Sequence, residues 1–213
     1  MTDIFDRSLD DVNVEISDNK VEKGADVNIT AKDPTMSSVV IAAGWKASSF
    51  HSSDLDIDVS CFLLDKNDKT RVNEDFIFYN NEMDIDESVV HNGDNLTGAG
   101  EGDDETISID LKKIPYDIFK VMFVLSIYRG EEKDQQMSNV RNGYVRLINA
   151  SNGQELLRYD ISPEVADSQG ETAMRVVSLN REGPKWHFYA LGELVKGGLA
   201  QVATDYDIIV HKG

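Results

Sequence analysis

Asp54, Asp56 and Asp58 stand at every second position of a run whose other residues, Leu55, Ile57, Val59, Cys61 and Leu63, are largely apolar. Strict alternation is the mark of a strand with one buried face, so the three carboxylates share the opposite face, about 7 Å apart. Like charges at that spacing repel one another unless a cation sits among them. The other reading is a solvated acidic strand edge. The run also imitates the D-x-D-x-D start of an EF-hand, but Val59 stands where that loop needs Gly and Asp65 where it needs Glu. The apolar alternation decides for a strand.

A second acidic run, Gly93-Asp94-Asn95-Leu96-Thr97-Gly98-Ala99-Gly100-Glu101-Gly102-Asp103-Asp104-Glu105, carries four glycines among its carboxylates. The glycines let the backbone turn tightly and point carbonyl oxygens inward, while Asp, Asn, Thr and Glu add hard oxygen donors. Calcium takes six to eight such oxygens, magnesium demands stricter geometry, and zinc prefers nitrogen or sulfur, which this run lacks. A backbone cradle for phosphate is opposed by the density of carboxylates. Between the two runs, Phe76-Ile77-Phe78-Tyr79-Asn80-Asn81 reads as a short strand ending in paired amides, which offer neutral oxygens or simply a turn.

These residues need a scaffold, and the remaining pattern supplies strands. Segments 26–30, 38–45, 55–64, 76–79, 105–111, 119–128, 144–148, 155–159, 173–179, 186–191 and 206–210 have strand character, most of them short and bounded by Gly, Asn, Asp or Pro. Hairpins are expected at Ser151-Asn152-Gly153 and at Arg181-Glu182-Gly183-Pro184. The run 121–125 is apolar on both faces, as a covered central strand would be. Helix is confined to a turn over 111–116 and a stretch over 193–203 weakened by Gly197 and Gly198. An all-β, antiparallel two-sheet β-sandwich with little helix follows, with an acidic arm over 1–17 and one domain over 18–213. The polar stretch 131–138 reads as a mobile loop.

The chain has 213 residues and a formal charge of −18, from 39 acidic against 21 basic residues. That sign excludes a nucleic-acid backbone as partner. Residues 54–105 hold 16 acids and three bases, and 72–105 hold 11 acids with no Lys or Arg, so distant bases or metal ions must neutralise them. The single Cys61 lies in an apolar run and reads as a small buried hydrophobe. The first residues lack the basic start and long apolar stretch of a secretory signal, and no run has membrane-spanning length. A cytoplasmic protein, not itself membrane-spanning, is expected.

Taken in order, Gly44-Trp45, Asp56-Ile57-Asp58-Val59-Ser60-Cys61-Phe62-Leu63-Leu64, Phe76-Ile77-Phe78-Tyr79-Asn80-Asn81, Gly93-Asp94-Asn95-Leu96-Thr97-Gly98 and Gly100-Glu101-Gly102-Asp103-Asp104-Glu105 resemble the TerD domain of bacterial tellurium-resistance and stress proteins. Arg158-Tyr159-Asp160-Ile161 and Glu171-Thr172-Ala173-Met174 extend the resemblance over about 21–210. It implies a β-sandwich holding two neighbouring calcium ions, in a cytoplasmic protein tied to tellurite, phage and other stress responses. It also implies protein partners among membrane-associated stress-resistance components. On matching positions the implied ligand set is Asp56, Asp58, Asn80, Asn81, Asp94, Asn95, Glu101, Asp103, Asp104 and Glu105. Ala99 departs from the family, which often has an acid there.

The first functional reading is therefore a calcium-binding stress module without catalysis. The alternative is a metal-dependent hydrolase, in which clustered carboxylates hold ions that activate water and His51 or His91 serves as base or ligand. No nucleophile, base and orienting group accompany those histidines in sequence, and both read as solvated loop residues. His187, Trp45 and Trp186 read as structural. A lectin-like surface sandwich is disfavoured by the absent export signal.

Overall fold

The computed structural model describes residues 19–47, 55–93 and 102–210. Twelve strands appear among them: β1 (Lys20–Val21), β2 (Asp26–Asn28), β3 (Ser38–Ala47), β4 (Ile57–Leu64), β5 (Phe76–Ile77), β6 (Val89–His91), β7 (Glu105–Asp110), β8 (Lys120–Ile127), β9 (Val140–Asn149), β10 (Glu155–Asp160), β11 (Ala173–Glu182) and β12 (Lys185–Val195). Three short helices are interspersed: α1 (Ile29–Lys32), α2 (Ser162–Ala166) and α3 (Gly198–Asp205). The strands form two six-stranded sheets, ordered β1-β10-β9-β3-β7-β6 and β2-β12-β11-β8-β4-β5. Pairing is antiparallel except between β1 and β10. The all-β sandwich expected from the sequence is the fold.

The main core lies between the sheets. Leu55, Ile57, Val59, Cys61 and Leu63 enter it from one side of the β4 run, joined by Val121, Phe123 and Leu125 of β8 and by Val39, Ile41, Ile107 and Ile109 of the facing sheet. β8 sits between β11 and β4, and its two apolar faces have separate uses. Met122 and Val124 turn outward into a second cluster with Phe62, Leu64, Val202 and Tyr206. Helix α3 thus roofs part of the outer face of the second sheet, and all of β4 is buried. Asp58 is on that roofed side of the strand and only 5% exposed, which overturns the reading of a solvated acidic edge.

Several local expectations are corrected. Residues 206–210 are not a strand: Tyr206 closes α3, its N–H bonded to the carbonyls of Val202 and Ala203, and its ring lies 5.1 Å from that of Phe62. The helix expected over 193–203 begins only at Gly198, because β12 keeps pairing with β11 as far as Val195 and Gly197 and Gly198 then turn the chain at φ 84° and 64°. The strand beginning at Asp26 stops at Asn28, whose side chain accepts the Ala31 N–H and caps α1. The polar stretch 131–138 is anchored: Met137 is fully buried and its N–H bonds the Glu171 carbonyl. Both expected hairpins form, the first joining β9 and β10, the second joining β11 and β12 around Gly183.

Candidate functional site

The first acidic run leads into β4 and the second into β7, strands of different sheets. They meet at Val59. Glu105, the first residue of β7 and 2% exposed, extends its side chain across the sandwich so that Oε2 accepts the Val59 N–H at 2.6 Å. Position 59 is reached because β5 is too short to pair with it; that strand covers only Cys61 and Phe62. His91 of β6 comes from the same side, with Nε2 3.0 Å from the Val59 carbonyl and 3.6 Å from Glu105 Oε2. Nε2 must be the donor there, and Nδ1 accepts the Gly93 N–H at 3.2 Å, which fixes one neutral tautomer. His91 is therefore a buried structural group and not a solvated loop residue.

Asp104 extends the ladder of β7. Its N–H bonds the Ala43 carbonyl at 2.8 Å, and its Oδ2 accepts the Trp45 N–H at 2.8 Å. Burial holds its carboxyl above the usual range; the Trp45 N–H opposes that shift and the charge of Asp103 adds to it. A nearby cation would relieve this strain on the ionised form.

Asp103 is differently employed. Its two oxygens take Nε and Nη2 of Arg146 at 2.8 and 2.6 Å, a bidentate pair, and the Tyr144 hydroxyl donates to Oδ1 at 3.1 Å. Tyr144 also donates to the Gly102 carbonyl at 2.9 Å. It reaches there by lying across Gly44, its neighbour in register on β3. A β-carbon at Gly44 would fall 2.4 Å from the Tyr144 hydroxyl oxygen.

Asp56 precedes β4 and offers its carbonyl to the Tyr128 N–H at 2.8 Å. Asn80 is exposed on a tight turn closed by reciprocal bonds between Phe78 and Asn81. The Asn81 side-chain nitrogen donates to the Phe76 and Glu74 carbonyls at 2.6 and 3.3 Å, which leaves its Oδ1 as the available donor atom. Asp94, Asn95 and Glu101, with Ala99 and His51, lie outside the described residues.

Other acids of the 72–105 run are neutralised without metal. Asp75 is held by Arg71 at 2.8 Å, and Asp84 accepts the Ser88 and Val89 N–H groups at 2.7 Å each. Among the described residues, no three His, Cys, Asp or Glu side chains converge as around an ion. The described donors near the meeting point are nevertheless all hard oxygens, from Asp56, Asp58, Asp104, Glu105 and Asn81, and that chemistry fits calcium. A complete shell would have to draw on the 94–101 loop. Sequence reasoning missed Arg146, Tyr144 and His91 as partners of the acidic residues. Only a reading of which strands pair could have found them.

The family model for the TerD domain matches residues 18–206. General stress protein 16U of Bacillus subtilis (strain 168) is 42% identical over 189 residues, 88% of this chain and 96% of that one. Tellurium resistance protein TerD of Serratia marcescens is 40% identical over 188 residues, with the same coverage of 88% and 96%. The fold is shared with the crystal structure of a homologue of telluride resistance protein (TerD) from Streptomyces coelicolor A3(2), at a TM-score of 0.63 and 16% identity over 79% of this chain and 95% of that one. With the two acidic runs joined at Val59 and the family model spanning most of its length, this chain belongs to the TerD domain family.

Proposed function

We propose that this protein is a non-catalytic, calcium-binding module of a stress response of the tellurium-resistance kind. The observation that carries the reading is the bond from Val59 N–H to Glu105 Oε2, which brings the Asp56 and Asp58 run against the Asp104 and Glu105 run although 46 residues separate its two partners. Asp58 and Glu105 are buried carboxylates, and the charge of Asp104 is disfavoured where it stands. Asp56, Asp58, Asp104 and Glu105, with Asp94, Asn95 and Glu101 from the loop, would hold the calcium, and the Oδ1 of Asn81 or an amide of Asn80 would complete it. The ion supplies charge neutralisation that locks the two sheets together at this end. Asp103 stays with Arg146 and anchors the loop base.

A hydrolase reading finds no support in His91, because both of its ring nitrogens are already committed to backbone groups. Relatives named for stress response and tellurium resistance support the biological setting. No helix among the described residues is long and apolar enough to cross a membrane, and protein partners are part of the proposal. Calorimetric titration of chelator-treated protein with calcium tests it. Saturable binding of one or two ions, with magnesium much weaker, is the expected result; no calcium heat would overturn it.

A further inference from the structure

Beyond the calcium reading, and without depending on it, the outer face of the second sheet contains a cleft of about 830 Å³, within the range of about 300–1,000 Å³ common for small-molecule sites. Its floor is Asp58 and its register partner Ser126, both nearly fully buried. Its wall is a run of rings: Phe78 and Tyr79 meet edge-on at 5.3 Å, and Tyr79 meets Tyr128 edge-on at 6.4 Å. Glu74, Glu131 and Glu132 also line it, and the lone base in the lining, Arg129, is paired with Glu132 at 2.8 Å.

Each feature narrows the ligand. The carboxylates repel anions. A neutral apolar molecule seated on the floor would take the Asp58 charge further out of water with nothing to balance it. An inorganic ion would leave the aromatic wall unused. The wall already attracts cations, since the Lys133 ammonium and Arg129 guanidinium stand 5.6 and 6.0 Å from the centre of the Tyr128 ring. We infer that this cleft binds a small organic cation, an ammonium group on a hydrophobic frame, with the charge directed to Asp58 and the frame against Phe78, Tyr79 and Tyr128.

Calorimetry with benzyltrimethylammonium as probe and benzyl alcohol as its uncharged counterpart tests this, on the full chain in EDTA. Expected is one saturable site for the cation, with benzyl alcohol at least tenfold weaker. Tyr128→Ala, at a partly exposed ring, and Asp58→Asn should each weaken the probe at least tenfold. If Asp58→Asn does not fold, Phe78→Leu replaces it, with a loss of several fold expected. Absence of saturable binding, equal binding of the alcohol, or unchanged affinity in Tyr128→Ala would overturn the inference. Calcium heat measured on the same samples reports on the calcium reading alone, so the failure of one is distinguishable from the failure of the other.

Discussion

His91 and Glu105 stand on neighbouring strands of one sheet and together hold both backbone groups of a single residue, Val59, in the other. The carboxylate takes the N–H and the imidazole supplies a hydrogen to the carbonyl. In this way the uncovered part of the β4 edge is satisfied by side chains where a neighbouring strand is missing.

His91→Phe keeps a ring in place but leaves the buried Val59 carbonyl without this donor, a loss of about 1–3 kcal/mol of stability. His91→Gln retains an N–H and should lose less than half as much. Urea denaturation of the two variants decides between roles. Equal losses would mean that packing of the ring, and not its hydrogen bond, secures the edge.

Asp103 and Arg146 should behave as a metal-independent pair. Asp103→Asn and Arg146→Gln are each expected to destabilise the protein, with a coupling of about 1 kcal/mol in a double-mutant cycle, since the pair is bidentate but partly exposed. The coupling should be the same in EDTA and in calcium. A coupling that appears only with calcium would make Asp103 a ligand after all.

Gly44→Ala should act through Tyr144. The new methyl group would displace the phenol from Gly102 and Asp103, for a loss of about 1–2 kcal/mol, in the range of overpacking. In a Tyr144→Ala background the same substitution should cost nearly nothing. Thermal melts of the four proteins in the cycle give the answer, and a full loss in both backgrounds would point to the β3 backbone instead.

How far the sequence could be read follows from which signals are local. The alternation of Leu55, Ile57, Val59 and Leu63 named the core face of β4 correctly, and the two hairpins were marked by their own turn residues. The opposite face of β4 was misjudged because Asp54, Asp56 and Asp58 dominate its start, whereas Phe62 and Leu64 decide its environment. Tyr206 has strand propensity, but its contact with Phe62 arises from a fold of the chain that no short window contains. The same limit applies to the acidic site. The spacing of carboxylates was visible, but Arg146 reaches Asp103 only because β9 and β7 flank β3, and β6 is a three-residue strand too short to announce that His91 is buried. Which acids already have protein partners is a tertiary fact.

Calcium should reverse the sign of the effect of one substitution. Without metal, the charge of Asp104 is disfavoured in the folded state, because burial holds its carboxyl above the ordinary 3.8. The folded protein then keeps its proton to higher pH than the unfolded chain does, so this group's contribution to stability falls as pH rises through and above 3.8 and is constant once both states are ionised. At neutral pH in EDTA, Asp104→Asn removes that charge while keeping an oxygen to accept the Trp45 N–H, and the variant should melt higher than wild type. With calcium present the order should invert. Wild type gains RT ln(1 + [L]/Kd), about 2.7 kcal/mol at a hundredfold excess over Kd, and the variant, lacking a charged oxygen, gains less. Asp58→Asn should lose calcium stabilisation in the same way. Differential scanning calorimetry in EDTA, calcium and magnesium measures all three proteins under one protocol. If calcium leaves the wild-type transition where EDTA put it, or raises both variants as much as wild type, these carboxylates do not hold the ion.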